Sequence, residues 1–286
     1  MKLNHIIKLF LLTQTIAYSY VFAQSQVVVE EVMFMNAPYV GEVNTTTKKY
    51  AADGLFREEA EVKVDRFLIR IAMGGNKIVG SVLDGQNETR TVYNVEDEEF
   101  AQETFNVIRD NDGKPILQGM RQFGGGGGGG SNRRGNSEQE NTDETVEQEN
   151  SIQRNISNKT ENIAGFSARK VTTLITSNDG TMTIEEWFTT DTLLFRYVLD
   201  IETGLVESYG GKKQNMPRSF SESILVQSEQ DYDSVKGRLV KYTMQMKDED
   251  DKGFQMNWEL KSIKEIPFKP SDFEIYKKYE KMDELD

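Results

Sequence analysis

The chain has 286 residues, carries 34 lysine and arginine against 47 aspartate and glutamate residues, and has a formal net charge of −13. It contains no cysteine and its one histidine is His5. This composition argues against electrostatic attraction to nucleic acids, and it removes Ser-His-Asp and Cys-His catalysis and the usual zinc sites from consideration. We therefore expect no metal ion, no cofactor and no catalytic residues.

The first 23 residues have the pattern of a secretory signal peptide. Lys2 and Lys8 lie before an apolar stretch, and Val21 and Ala23 occupy the small-residue positions of a cleavage site. Cleavage after Ala23 leaves 32 basic against 47 acidic residues, a net charge of −15, because Lys2 and Lys8 are lost. Since no cysteine is available for lipid modification, we predict an extracytoplasmic protein, in the periplasm, that is not an integral membrane protein.

Residues 24–123 are predicted to form the first half of a β domain. Apolar residues alternate from Val27 to Met35, which predicts a strand. Further strands are predicted at residues 67–72 and 77–83. Asn94 resembles a helix N-cap followed by acidic residues, which predicts a helix that runs towards Val107.

Residues 124–161 begin with seven glycines and continue with polar and charged residues and no aromatic side chain. Such a composition cannot bury enough apolar surface to offset its ordering entropy, so we predict a disordered insertion. Residues 162–286 are then the second half of the same β domain, because a long loop inserted in one sheet costs little free energy. Strands are predicted there at residues 169–176, 181–189, 221–228, 235–246 and 253–263.

Three motifs suggest other kinds of chemistry, but for each of them a purely structural interpretation fits the sequence better. The glycine run lacks the Gly-Lys-Ser/Thr ending of a phosphate-binding loop. The acidic segment 248–259 resembles a calcium loop, but Lys252 stands where a ligand oxygen is needed. Glu185 and Glu186 are adjacent in a strand, so they point to opposite faces and cannot act as a glycosidase pair.

A stripe of methionine and aromatic residues is the best candidate for a binding surface. Tyr242, Met244 and Met246 alternate on one predicted strand, and Phe254, Met256 and Trp258 alternate on the next. Phe188 is a further candidate on the hairpin of residues 163–191. Two interpretations remain open: the stripe is a closed core, or its adaptable side chains line a hollow that accepts apolar ligands.

The same hairpin resembles a family of exported bacterial proteins of unknown function. The matching segments are residues 163–166 (IAGF), 168–171 (ARKV) and 185–189 (EEWFT), and the closing segment 267–282 is also similar. That family is similar in turn to the periplasmic lipoprotein carriers of the LolA and LolB type. The resemblance implies a mainly β (α+β) fold, a curved antiparallel incomplete β-barrel with one or a few helices over its concave face.

Two functions follow as expectations. The first is a non-catalytic carrier-like protein that binds a lipid or acyl chain. The alternative is an envelope structural or interaction protein whose core is filled and whose acidic loop contacts a protein partner.

Overall fold

A computed structural model describes residues 24–72, 75–117, 151–178, 180–212, 219–227, 232–247, 253–275 and 277–283. The predicted signal peptide, the glycine run and the acidic segment around Lys252 lie outside the described residues. The predicted cleavage after Ala23 therefore stays a prediction.

The described residues form one 12-stranded sheet with the order β12-β6-β5-β4-β3-β2-β1-β11-β10-β9-β8-β7. Neighbouring strands are antiparallel except β12 and β6, which are parallel. The strands are β1 (Ser25–Ala37), β2 (Gly41–Ala52), β3 (Leu55–Val64), β4 (Lys77–Asp84), β5 (Thr89–Asn94), β6 (Glu99–Thr104), β7 (Ser151–Ile163), β8 (Phe166–Ser177), β9 (Gly180–Thr189), β10 (Arg238–Lys247), β11 (Gly253–Pro267) and β12 (Glu280–Met282).

Four α-helices accompany this sheet within the described residues. They are α1 (Phe67–Ala72), α2 (Phe105–Asp110), α3 (Leu193–Ser208) and α4 (Phe220–Gln227). A 3-10 turn covers Pro270–Asp272.

The two halves of the chain meet where β1 pairs with β11 along most of its length. Because β1 to β6 come from one side of the inserted tract and β7 to β12 from the other, a single sheet unites both flanks. The sheet is not closed, since β7 and β12 lie at opposite ends of the strand order. The chain is mainly β, as predicted, and the predicted strands that correspond to β1, β4, β8, β9, β10 and β11 are confirmed.

The strand predicted at residues 67–72 is wrong, because these residues form α1. β3 already pairs with β4 up to the register Val62 with Lys77, so the intervening connection lies beyond the end of the sheet. Without a strand neighbour, the segment satisfies its backbone groups by helical bonding, as in the bond from the N–H of Arg70 to the carbonyl of Arg66 (2.8 Å).

The helix predicted from Asn94 is also wrong. Asn94 ends β5, and its side-chain oxygen accepts a hydrogen bond from the backbone N–H of Glu96 in a tight turn (3.1 Å). The chain then returns as β6, and helix α2 begins only after Thr104, whose hydroxyl accepts from the N–H of Val107. Asparagine is common both at helix N-caps and in turns. Here the antiparallel pairing of β5 with β6 requires a turn after Asn94.

Residues 220–227 form helix α4 where a strand was predicted. The hydroxyl of Ser219 accepts a hydrogen bond from the N–H of Glu222 (3.0 Å), which caps the N-terminus of the helix. The cap and the helix it starts outweigh the strand propensity of residues 221–228.

The predicted disordered insertion is too long at its C-terminal end, because residues 151–161 belong to strand β7. β7 is polar but pairs with β8, and a bulge between Ile156 and Thr160 interrupts the register. The composition of this segment does not by itself favour an ordered structure. Its backbone hydrogen bonds to β8 order it as a strand. Residues 124–150 lie outside the described part of the chain.

Candidate functional site: the helix-covered face of the sheet

Three helices lie on one face of the sheet, which we call the inner face. Helix α3 packs with Val27, Ala51 and Phe56 in the largest hydrophobic cluster. Ile69 of α1 packs on the cluster of Val43, Val62 and Val64, and α4 contributes Phe220 to a contact with Tyr242. Strand registers place all of these sheet residues on the same face, since directly paired residues point to the same side.

The predicted methionine and aromatic stripe lies on this inner face in cross-strand rows. β10 and β11 pair Tyr242 with Trp258, Met244 with Met256, and Met246 with Phe254. The same rows continue into β1 through Met33, which pairs with Trp258, and Met35, which pairs with Met256. In β9 they continue through Ile184 and Met182. The structure thus brings the six stripe residues predicted from β10 and β11 together in one continuous apolar surface.

The predicted ligand-binding residues differ in exposure along the rows. Tyr242 is 3% exposed, whereas Met246 is 44% exposed near the hairpin end of the sheet. Met244, Phe254, Met256 and Trp258 are half-buried. Phe188 is buried in a separate cluster with Val171 and Val235, so it packs apart from the other six.

Aromatic rings cover the buried end of the stripe. The ring centroids of Phe220 and Tyr242 are 4.5 Å apart, and the rings of Tyr242 and Trp258 stack at 6.1 Å. Burial raises the pKa of the Tyr242 hydroxyl above its ordinary value. Helix α4 therefore closes over one end of the rows while the Met246 end stays accessible.

A buried carboxylate holds the start of α4 on the sheet. Glu186 in β9 is fully buried and accepts hydrogen bonds from the hydroxyl of Ser219 (2.9 Å), the hydroxyl of Ser221 and the backbone N–H of Phe220 (2.7 Å). Hydrogen bonds to a carboxylate at a helix N-terminus are stabilising because the free N–H groups point at the charge.

Arg154 of the edge strand β7 supports the same junction. It donates to the hydroxyl of Ser221 (2.9 Å) and pairs with Glu222 at 3.4 Å. Its guanidinium also lies 5.6 Å from the ring centre of Tyr232. The Nε atom of Arg154 has no hydrogen-bond partner among the described residues.

A second group of charges lies under α3. Lys49 forms ion pairs with Glu31 (3.3 Å) and Glu58 (3.8 Å). Burial by itself lowers the pKa of Lys49. The carboxylates of Glu31, Glu58 and Glu202 together raise it by more than burial lowers it, so the pKa of Lys49 lies above its ordinary value. Burial raises the pKa of Glu202 in α3, and the Lys49 ammonium opposes that shift.

Sequence reasoning missed these polar groups. Glu186 was considered only as half of a catalytic pair with Glu185, and nothing in the sequence marks Lys49 as buried. Helix α3 was also missed, although Leu194, Val198, Ile201 and Leu205 recur at the three- and four-residue spacing of a helix.

A cavity of about 550 Å³ lies away from the stripe, between β4 to β6 and the C-terminal segment. Its lining includes Thr89, Thr91 and Gln102 of the sheet together with Ile275 and Lys277. On this outer face the C-terminal segment also packs Tyr279 against Val82 and Tyr93.

Within the described ranges, no group of three or more acidic, histidine or cysteine side chains is placed to hold a metal ion. None of the described helices is long and apolar enough to cross a membrane.

No protein-family model matches the sequence, and no curated protein does. Several solved structures are similar to it. Three of them are a DUF1329 family protein from Desulfovibrio piger (14% identity, 91% of this chain and 93% of that chain, TM-score 0.25), a LolA superfamily protein from Nitrosomonas europaea (11%, 88% and 91%, 0.26) and a putative outer membrane lipoprotein-sorting protein domain from Vibrio parahaemolyticus (9%, 91% and 94%, 0.24).

These descriptions name a DUF1329 family protein, a LolA superfamily protein and a lipoprotein-sorting protein domain, in line with the LolA-like resemblance of the sequence motifs. Identities and TM-scores of this size say nothing about ligands or activity.

Proposed function

We propose that this protein is an extracytoplasmic, non-catalytic carrier-like module that binds a lipid or acyl chain on the inner face of its sheet. The observation that carries the proposal is the set of methionine and aromatic rows shared by β1, β9, β10 and β11. Unbranched thioether side chains adapt to varied apolar shapes, and Met246 gives the rows an accessible end.

The size of the apolar contribution predicts weak binding. Each buried methylene contributes about 0.8 kcal/mol, so a ten-carbon chain gains about 8 kcal/mol. Association costs at least about 4 kcal/mol of that gain. The balance corresponds to a Kd on the order of 1 mM, with tighter binding for longer chains, which suits transfer of a ligand better than storage.

The experiment is titration of the purified protein with the uncharged fluorescent probe N-phenyl-1-naphthylamine. Met256→Asp places a carboxylate in the rows and should abolish the fluorescence increase while the far-ultraviolet circular dichroism is kept. Gln255→Asp is the matched control, because Gln255 is the neighbouring residue on the opposite face of the same strand. Wild-type protein that binds no probe, together with a Met256→Asp variant that does not fold, would contradict the proposal.

A second candidate is an envelope structural or interaction protein with a filled core. The observation that favours it is the complete burial of Ile184 and the near-complete burial of Tyr242 under α4. In that case the rows are core, a carboxylate at Met256 is buried without a partner, and the variant is severely destabilised.

A further inference from the structure

Among the described residues, two groups of charged side chains flank the apolar rows, and in each group the acidic residues outnumber the basic ones. At the α4 side, Glu186 and Glu222 lie with the cation Arg154 in the part of the chain that the structure describes. Arg154 and Glu186 are both hydrogen-bonded to the hydroxyl of Ser221, so the two carboxylates and the guanidinium form one compact group.

At the α3 side, Glu31 and Glu58 share Lys49, and Glu202 of α3 faces the same ammonium group. Arg238 is a further cation near Glu202. Glu31 lies two residues before Met33 on the same face of β1, so it borders the apolar rows directly.

Two of the described cations beside the rows, Lys49 and Arg154, are already engaged. Lys49 is paired with two carboxylates, and Arg154 is bonded to Ser221 and Glu222. The Nε of Arg154 is unpaired among the described residues, but an anion drawn to it would lie beside Glu222 and close to Glu186. Repulsion between like charges is stronger here than in water because the surroundings are apolar.

We propose, on the basis of the proposed function, that the inner face selects amphiphiles by the sign of their head-group charge. It accepts cationic and uncharged head groups and rejects carboxylates. A cationic head group would add the positive charge that the carboxylates on either side of the rows leave uncompensated.

The test compares decylamine, decan-1-ol and decanoate as competitors of N-phenyl-1-naphthylamine at pH 7.5. The three share one chain length, and the amine and the carboxylate both carry a full charge, so their ratio isolates the sign of the charge. We expect decylamine to compete at least ten-fold more strongly than decanoate, with decan-1-ol also stronger than decanoate.

Two variants locate the origin of this selectivity. Glu222→Gln and Glu31→Gln should each reduce the decylamine-to-decanoate ratio by several fold. Glu280→Gln is the control, since Glu280 is an exposed residue of β12 at the far edge of the sheet, and it should leave the ratio unchanged.

The outcomes separate the two proposals. Wild-type protein that does not bind the probe contradicts the proposed function itself. A probe that binds and is displaced equally well by decylamine and decanoate overturns the selectivity and leaves the proposed function standing. A ten-fold preference that persists unchanged in both variants also overturns it, because the carboxylates would then not be its cause.

Discussion

Glu186 of β9 accepts a hydrogen bond from the backbone N–H of Phe220, the first residue of α4, at 2.7 Å. This bond links a side chain in the third strand from the β7 edge of the sheet to a helix that begins 34 residues further along the chain. Because Phe220 also packs on Tyr242, the position of one carboxylate determines how the apolar rows are covered.

Replacing Glu186 should therefore loosen α4. Glu186→Ala leaves the Ser219, Ser221 and Phe220 donors without their acceptor, and we expect it to lower the free energy of unfolding by about 3 kcal/mol in urea titrations. Hydrogen exchange of α4 should rise more than that of β11. Glu185→Ala is the control, since Glu185 forms a half-exposed ion pair with Lys170 and should cost less than about 1 kcal/mol. Equal losses for the two variants would contradict the assigned role.

Phe220→Ala should uncover Tyr242. The loss of a packed ring should lower the free energy of unfolding by about 3 kcal/mol, and the space vacated should strengthen binding of N-phenyl-1-naphthylamine if the rows accept a guest. Val226→Ala, at an exposed position of the same helix, should change neither quantity. Unchanged or weaker probe binding by a folded Phe220→Ala variant would favour the filled-core alternative.

Gly80 of β4 lies directly beneath the ring of Tyr93. A Cβ atom at Gly80 would lie 2.2 Å from the Tyr93 hydroxyl oxygen and 2.6 Å from the carbonyl oxygen of Glu58. Tyr93 in turn accepts a hydrogen bond from Arg57 (2.9 Å) and donates to Glu59 (2.8 Å). Gly80→Ala should therefore displace the ring and cost about 1–3 kcal/mol, measured by thermal unfolding.

A matched substitution of another glycine should stabilise the protein rather than destabilise it. Gly204 lies in α3 with open space around the position of its Cβ atom. Gly204→Ala should raise the free energy of unfolding by up to about 1 kcal/mol, because alanine restricts the unfolded chain and favours the helix. A destabilised Gly204→Ala variant would show that α3 does not lie as described.

The pH dependence of stability should report on Glu202. Burial raises its pKa in the folded state, so the folded protein binds its proton more tightly than the unfolded chain does. The stability contributed by this group is present at low pH and is lost as pH rises from the ordinary glutamate pKa through the raised value. Glu202→Gln should therefore gain stability relative to wild type between pH 4 and pH 7.

Urea titrations at several pH values check this prediction. Glu207→Gln, an exposed substitution in the same helix, should follow the wild-type pH profile. If the stability difference between Glu202→Gln and wild type is the same at pH 4 and pH 7, burial does not raise the pKa of Glu202.

The sequence by itself determined six of the twelve described strands, namely β1, β4 and β8 to β11, and the composition of the candidate site. Alternation of apolar residues, as in Met244, Met246 and Met256, depends only on the two-residue period of a strand, so both the strands and their common face could be predicted. The lack of histidine and cysteine beyond His5 likewise limits the chemistry without any knowledge of the fold.

The tertiary structure alone decided where the helices lie and which charges are buried. Residues 67–72 and 220–227 have apolar patterns compatible with a strand, and they become helices because the neighbouring strands are already paired and because Glu186 caps α4. Residues 151–161 become a strand because β8 offers an edge. Lys49, Glu31 and Glu202 meet only when β1, β2 and α3 pack together, and contacts between segments so far apart in sequence leave no local signal in the residues themselves.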